Sequence, residues 1–130
     1  MLKMGNKKQV RLMEKEEYII CAAMIVVEDK RQFPCVENRN LRIGMSHSKI
    51  IRKNEYSDRK VYVHEGYKGF LTSNLDFIYR QEAAIVAYQA GQVSSKRYEL
   101  YSDDFDMEFY YKKFCEENKD KVALLNELSK

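Results

Sequence analysis

The run Glu17-Tyr-Ile-Ile-Cys-Ala-Ala-Met-Ile-Val-Val27 constrains this chain more than any other stretch. From Ile19 to Val27 it holds no charged or strongly polar side chain, so neither alternate set of residues offers a wet face. A strand that is apolar on both faces belongs in the middle of a sheet, with a layer over each side. The Ile and Val content favours extended backbone. A buried helix is the rival reading, because a short apolar run has no diagnostic period.

The next segments supply partners for that strand. Glu28–Gln32 is a polar turn, and Phe33-Pro34-Cys35 is predicted to be extended because Pro34 disfavours a helical residue before it. Leu41–His47 reads as the second strand of a hairpin, with Leu41 and Ile43 alternating with Arg42 and Gly44. His47–Tyr56 reads as a short helix with Ile50 and Ile51 inward, which puts His47 at the strand–helix junction. Tyr56–Gly66 is polar around Val61-Tyr-Val63 and is predicted to be a loop or a short strand.

Gly66–Gln92 reads as a short strand, a polar turn, a helix and a stop. Thr72, Ser73, Asn74 and Asp76 sit where the helix is predicted to begin, and each can accept from the free N–H groups of a helix start. Ala83, Val86, Ala87 and Ala90 then give one small apolar face, and Gly91 is the predicted stop. A polar turn feeding a helix also suits an anion; the plain alternative is that helices commonly start this way and bind nothing. Val93–Arg97 is a connector and Tyr98–Ser102 a predicted short strand. Ser102 is predicted to cap a last helix whose first turn carries Asp103, Asp104 and Asp106. Phe105, Phe109, Tyr110 and Phe114 form an aromatic stripe on it, continued by Val122, Leu125 and Leu128 after a break at Asn118. Such a stripe is core or a subunit interface. The predicted class is α+β: a mostly antiparallel sheet with a central helix and an added C-terminal helix. The expected division is a basic arm over 1–16, a ligand-binding core over 17–105 and a helical extension over 106–130.

Composition removes several function classes. At 130 residues there is room for one domain. A net charge of +3 is too small to argue for wholesale nucleic-acid binding, though it leaves room for a local basic pocket. The 3 cysteines are far apart, odd in number and lack a Cys-x-x-Cys pair, which argues against a disulfide framework or a zinc site. Cys21 reads as a small core residue. His64 is the only histidine besides His47, so no metal cluster is expected. The leading residues are polar and basic, and no run approaches the roughly 18 apolar residues of a membrane span. The expectation is a cytoplasmic protein without a membrane partner. Glycine-rich phosphate loops, zinc-protease and serine-hydrolase motifs are all missing, and no cofactor is expected.

What remains suggests a nucleotide pocket. Arg80 and Arg97 bracket the central helix, and arginine suits bidentate phosphate contacts. Phe70, just before the polar turn, is predicted to stack on a base. Thr72, Ser73 and the helix start would hold phosphate, while Asn74 and Gln92 would read a base or ribose edge. His47 is a secondary contact, with a histidine hydrogen-bonded into the fold as the plainer reading. Glu82 is either an acid–base group or a residue bonding back to the turn.

The ordered set Ile20-Cys-Ala-Ala-Met, Gly44-x-x-His47-x-x-Ile50, Gly69-Phe-Leu-Thr-Ser, Phe77-x-x-Arg80-x-Glu82-Ala83, Ala90-Gly-Gln92 and Leu100-Tyr-Ser-Asp-Asp104 resembles a widespread group of small phage and prophage proteins. The group is identified as the first-described anti-Thoeris sponge family. The resemblance spans about residues 18–105. It implies an α+β homo-oligomer that sequesters, without changing it, the cyclic ADP-ribose isomer made by a TIR-domain defence enzyme; some members also hold cyclic oligonucleotides. Two positions depart from the pattern: Ser46 stands where the group has Arg, and Tyr79 where it has Asp. The first removes a phosphate contact and the second a helix cap. The leading expectation is a non-enzymatic anti-defence protein that binds a cyclic nucleotide signal in the host cytoplasm. The alternatives are an enzyme cleaving such a nucleotide, with Glu82 or His47 as acid–base, and a structural or host-interaction protein without a small ligand.

Overall fold

The computed structural model describes residues 16–27, 40–55 and 67–129. The proposed arm up to residue 15, the turn and extended segment over 28–39 and the Val61–Val63 segment with His64 lie outside them.

Strand β1 (Ile19–Ile25) is the axis of the fold, and every residue in it is buried. It pairs antiparallel with β2 (Leu41–Gly44), from Ala22 opposite Gly44 to Ile25 opposite Leu41. On its other edge it pairs antiparallel with β3 (Lys68–Thr72), which in turn pairs with β4 (Phe77–Tyr79). The sheet order is β2-β1-β3-β4. The strand reading of the apolar run therefore holds, and so does its central, doubly covered place. Helices α1 (His47–Glu55), α2 (Arg80–Gln89) and α3 (Met107–Glu117) all pack on β1. The short α4 (Val122–Leu128) closes the described chain. This is an α+β domain on an antiparallel sheet.

The predicted helix start at Thr72–Asp76 is instead the turn of the β3–β4 hairpin. Thr72 Oγ1 accepts from the amides of Asn74 and Asp76, at 3.2 and 3.3 Å. Thr72 N–H donates to the Asp76 carbonyl at 2.9 Å, and Leu75 takes a left-handed φ of 64° at the tip. Thr, Ser, Asn and Asp stabilise turns and helix caps by the same local bonds, so their presence does not say which will form. Phe77-Ile-Tyr79 then runs as a strand before α2 begins at Arg80. The N-cap is Tyr79, and its side chain makes no capping bond. Gly69 lets the hairpin close: a Cβ there would fall on the Ile78 carbonyl oxygen and the Phe77 ring.

Helix α2 ends as predicted, at Gly91 with φ 76°. Gln92 N–H donates to Ala87 O at 2.8 Å and Gly91 N–H to Tyr88 O at 3.1 Å. This is the paired closure of a Schellman motif. The predicted strand at Tyr98–Ser102 is not formed. That segment is irregular, pinned by Leu100 N–H to the Arg80 carbonyl at 3.0 Å, and it leads into a single 3-10 turn at Ser102–Asp104. The cap of α3 is Asp106, which accepts from Phe109 N–H at 3.2 Å, rather than Ser102. Four residues near that start can cap, and the one three positions before a free N–H of the first turn does so.

The predicted break falls at Asn118, whose φ of −136° leaves the helical region. Its side chain donates to the Phe114 carbonyl at 3.0 Å. Phe114, Leu125 and Leu128 join β1, β3 and α2 in one hydrophobic core. Tyr110 is half-buried against Tyr18 and Phe105 against Tyr110, and Phe109 remains mostly exposed.

Candidate functional site

The first residue of α1, the first of α2 and the 3-10 turn meet at one place. His47 is buried, and its Nε2 lies 2.7 Å from the Gly69 carbonyl oxygen. A carbonyl only accepts, so Nε2 carries the hydrogen. Its Nδ1 then faces Arg80 Nη2 and Ser102 Oγ, both at 3.4 Å. Behind the imidazole stands Phe70, edge-on at 5.1 Å between ring centres. The sheet thus fixes His47, and His47 faces the head of α2.

Arg80 extends from that head over the ring of Tyr101, its guanidinium carbon 4.8 Å from the ring centre. Tyr101 is held on two further sides. Its hydroxyl donates to Glu99 Oε1 at 2.8 Å, and its amide donates to Asp104 Oδ2 at 2.8 Å. Tyr101 as a residue is nevertheless 48 % exposed. The same Asp104 pairs through Oδ1 with Arg97 Nη1 at 2.8 Å, and Arg97 Nη2 donates to Ser95 Oγ at 3.3 Å. The chain of contacts Arg80–Tyr101–Asp104–Arg97 joins the two arginines through one short segment. Its chemistry is cationic and aromatic. Arg97 is already neutralised by Asp104, so an anion reaching it has to displace or share that carboxylate.

His47, Arg80 and Arg97 are therefore brought together. The other residues predicted for the pocket hold the fold. Phe70 is completely buried and has no face open to a base. Thr72 is buried and closes the hairpin turn. Ser73 Oγ accepts from Tyr18 N–H at 3.0 Å, and its own amide donates to the Tyr18 carbonyl at 2.8 Å. Asn74 is exposed at the hairpin tip, away from any helix start. Gln92 is buried, with both ends of its amide bonded to Ile19. Tyr101, Ser102 and Asp104 are the residues that sequence reasoning missed as site members. The available signal is Leu100-Tyr-Ser-Asp-Asp104, whose local pattern predicts a strand and a cap.

Among the described residues titration adds no ready nucleophile. Burial pushes the Cys21 thiol up, and burial also raises that of Cys115, so neither is a ready thiolate at neutral pH. Glu82 lies exposed on the first turn of α2, without the predicted bond back to the hairpin turn. Among the described residues no group of three or more His, Cys, Asp and Glu is placed to hold a metal ion. Among the described residues no helix is long and apolar enough to cross a membrane.

The sequence profile of the phage T4 y16D protein family matches residues 18–106, more than half of the chain. The chain belongs to the phage T4 y16D protein family. No curated protein and no solved structure matches it. The y16D match takes in β1, the β3–β4 hairpin, α2 and the Leu100–Asp106 segment, and with them every residue of the His47–Arg80–Tyr101–Arg97 cluster. It stops just before α3. Membership of the y16D family identifies a small phage protein, but nothing in it links the chain to the sponge family suggested by the sequence resemblance.

Proposed function

We propose that this phage protein binds a phosphate-bearing nucleotide signal and sequesters it unchanged in the host cytoplasm, as an anti-defence device. The ligand to try first is the cyclic ADP-ribose isomer of TIR-domain defence, followed by cyclic oligonucleotides. The observation that carries this reading is the Arg80 guanidinium seated on a half-exposed, firmly held Tyr101 ring, with Arg97 tied to the same segment. A base would stack against Tyr101, and phosphate would meet Arg80. The stacking role expected of Phe70 thus passes to Tyr101. Both nitrogens of His47 face partners within the fold, which suits a positioning group better than a proton shuttle.

The test is incubation with the cyclic ADP-ribose isomer, heat denaturation and chromatography. Release of intact ligand in proportion to protein supports sequestration. A product peak would assign the chain to the nucleotide-cleaving alternative, and no retained ligand at all would remove the reading. A host-interaction or self-assembly role is favoured by a different observation, the exposure of Ile85, Tyr88 and Tyr98 along α2 and its following loop. Native mass spectrometry with and without nucleotide separates the two: a homo-oligomer or host complex indifferent to nucleotide supports the second.

A further inference from the structure

We infer that the cleft between α1 and the C-terminal helices is a second ligand site, one that takes a small amphipathic anion. The cleft has a volume of about 270 Å³. Its apolar part comes from Ile43 on β2, Ile50 on α1 and the ring of Tyr111 on α3, with Met45 beside them. Ile43 and Ile50 are core residues, so this wall is rigid. Small-molecule sites are largely apolar hollows with a few placed polar groups, about 300–1,000 Å³ for drug-sized ligands. A hollow just below that range suits a smaller molecule.

The sign of the ligand's charge follows from the lysines. Lys49 and Lys53 both line the cleft, four residues and one turn apart on α1. Among the described residues neither forms an ion pair. Lys53 instead donates to the Ser129 carbonyl just past α4, a neutral acceptor. Among the described residues no acidic side chain lines the cleft. Tyr111, whose hydroxyl could have supplied a negative charge, has its pKa pushed up to about 12, chiefly by burial, and stays a neutral phenol. Two cations beside an apolar wall fit a carboxylate or phosphate-monoester head between Lys49 and Lys53, with a short alkyl or aryl body over Ile43, Ile50 and Tyr111. This site shares no residue with the Arg80–Tyr101 cluster and does not depend on the function proposed for it.

The test is calorimetric titration of the full chain with octanoate, octyl phosphate and, as the charge-reversed control, octylamine. Saturable binding of either anion and none of the amine is expected, and the preferred anion names the head group. Lys49→Glu with Lys53→Glu should weaken anion binding by about fivefold or more. Met45→Trp, which fills the hollow without touching charge, should also weaken it. Should the double variant melt early, exposed Lys49→Gln alone carries the charge test. Absence of saturable anion binding, equal affinity for octylamine, or an affinity indifferent to the lysine changes would overturn the inference.

Discussion

The side-chain amide of Gln92 takes both hydrogen-bonding groups of one backbone residue, Ile19. Its Oε1 accepts from Ile19 N–H and its Nε2 donates to Ile19 O, each at 2.8 Å. Ile19 lies where the β1–β3 register shifts, between Ile19 and Cys21. There the side chain acts as a one-residue strand partner for β1. The Schellman closure of α2 aims it there, so the end of the helix and the start of the central strand are one joint. Removing the amide leaves two buried backbone groups unsatisfied, each costing about 1–3 kcal/mol. Gln92→Ala should therefore lower stability by roughly 2–4 kcal/mol, read by urea unfolding. A loss below 0.5 kcal/mol, on the order of an ordinary surface change, would show that water replaces the joint.

Gly69 is the second backbone joint. Gly69→Ala places a methyl group on the Ile78 carbonyl and the Phe77 ring, which forces β3 and β4 apart. The same residue's carbonyl receives His47. Overpacking of this kind costs about 1–3 kcal/mol or more. We expect a lower melting temperature by circular dichroism together with weaker nucleotide binding. Unchanged melting would mean that the hairpin is looser than its contacts suggest.

Tyr101→Ala should weaken binding of the cyclic ADP-ribose isomer by about 1–3 kcal/mol, the usual worth of base–aromatic stacking. Tyr101→Phe keeps the ring and should retain most of the affinity. Phe70→Leu, by contrast, acts through the core and should change melting more than binding. Calorimetry on these variants decides the matter, and equal affinities across the Tyr101 pair would rule out stacking.

Asp104 holds Arg97 and the Tyr101 amide together, with side-chain exposures of 20 % for Asp104 and 30 % for Arg97. Asp104→Asn removes the charge competing with a ligand phosphate. It should cost about 1 kcal/mol of stability or less, and tighten binding of the nucleotide anion. If binding weakens while melting is unchanged, then Asp104 serves by orienting Arg97, and phosphate does not replace it.

Alkaline pH should destabilise the fold in a defined window. Burial, then the charge of Glu117, raises Tyr18 from 10.0 to about 12, and burial raises Tyr111 likewise. Between those values the unfolded chain has lost phenolic protons that the folded chain keeps, so stability falls as pH rises. The contribution is complete below about pH 10 and is lost on the way to about pH 12, at up to roughly 2 kcal/mol for each tyrosine. Urea unfolding from pH 8 to 11.5 measures it. A flat profile above pH 10 in the wild type would contradict the burial of both hydroxyls.

Much of the frame was legible before folding. Ile19–Ile25 reads as a central strand because it holds no charged or strongly polar side chain, with a buried helix as the rival that the structure removes. Leu41 and Ile43 announced β2 by alternation, and Gly91 announced the end of α2. The hairpin at Thr72–Asp76 was not legible: its residues cap a helix as readily as they close a turn, and a strand of only Phe77-Ile-Tyr79 is too short to show a period. Tyr98–Ser102 failed for the opposite reason, since strand-like residues there serve as an irregular strap. Of the site, His47, Arg80 and Arg97 were readable as residue types. Their meeting through Tyr101 and Asp104 was not.

By itself the amino-acid sequence determined which segment must be buried and which residues could turn the chain or stop a helix. Those properties are local, set by side-chain polarity and backbone freedom over a few residues. The tertiary structure alone decided what each polar residue does. Gln92 and Ser73 face β1 and become structural, whereas Arg80 and Tyr101, separated by β-sheet packing from those roles, meet at the surface. A polar side chain has many possible partners along a chain, and only packing brings one of them within hydrogen-bonding distance.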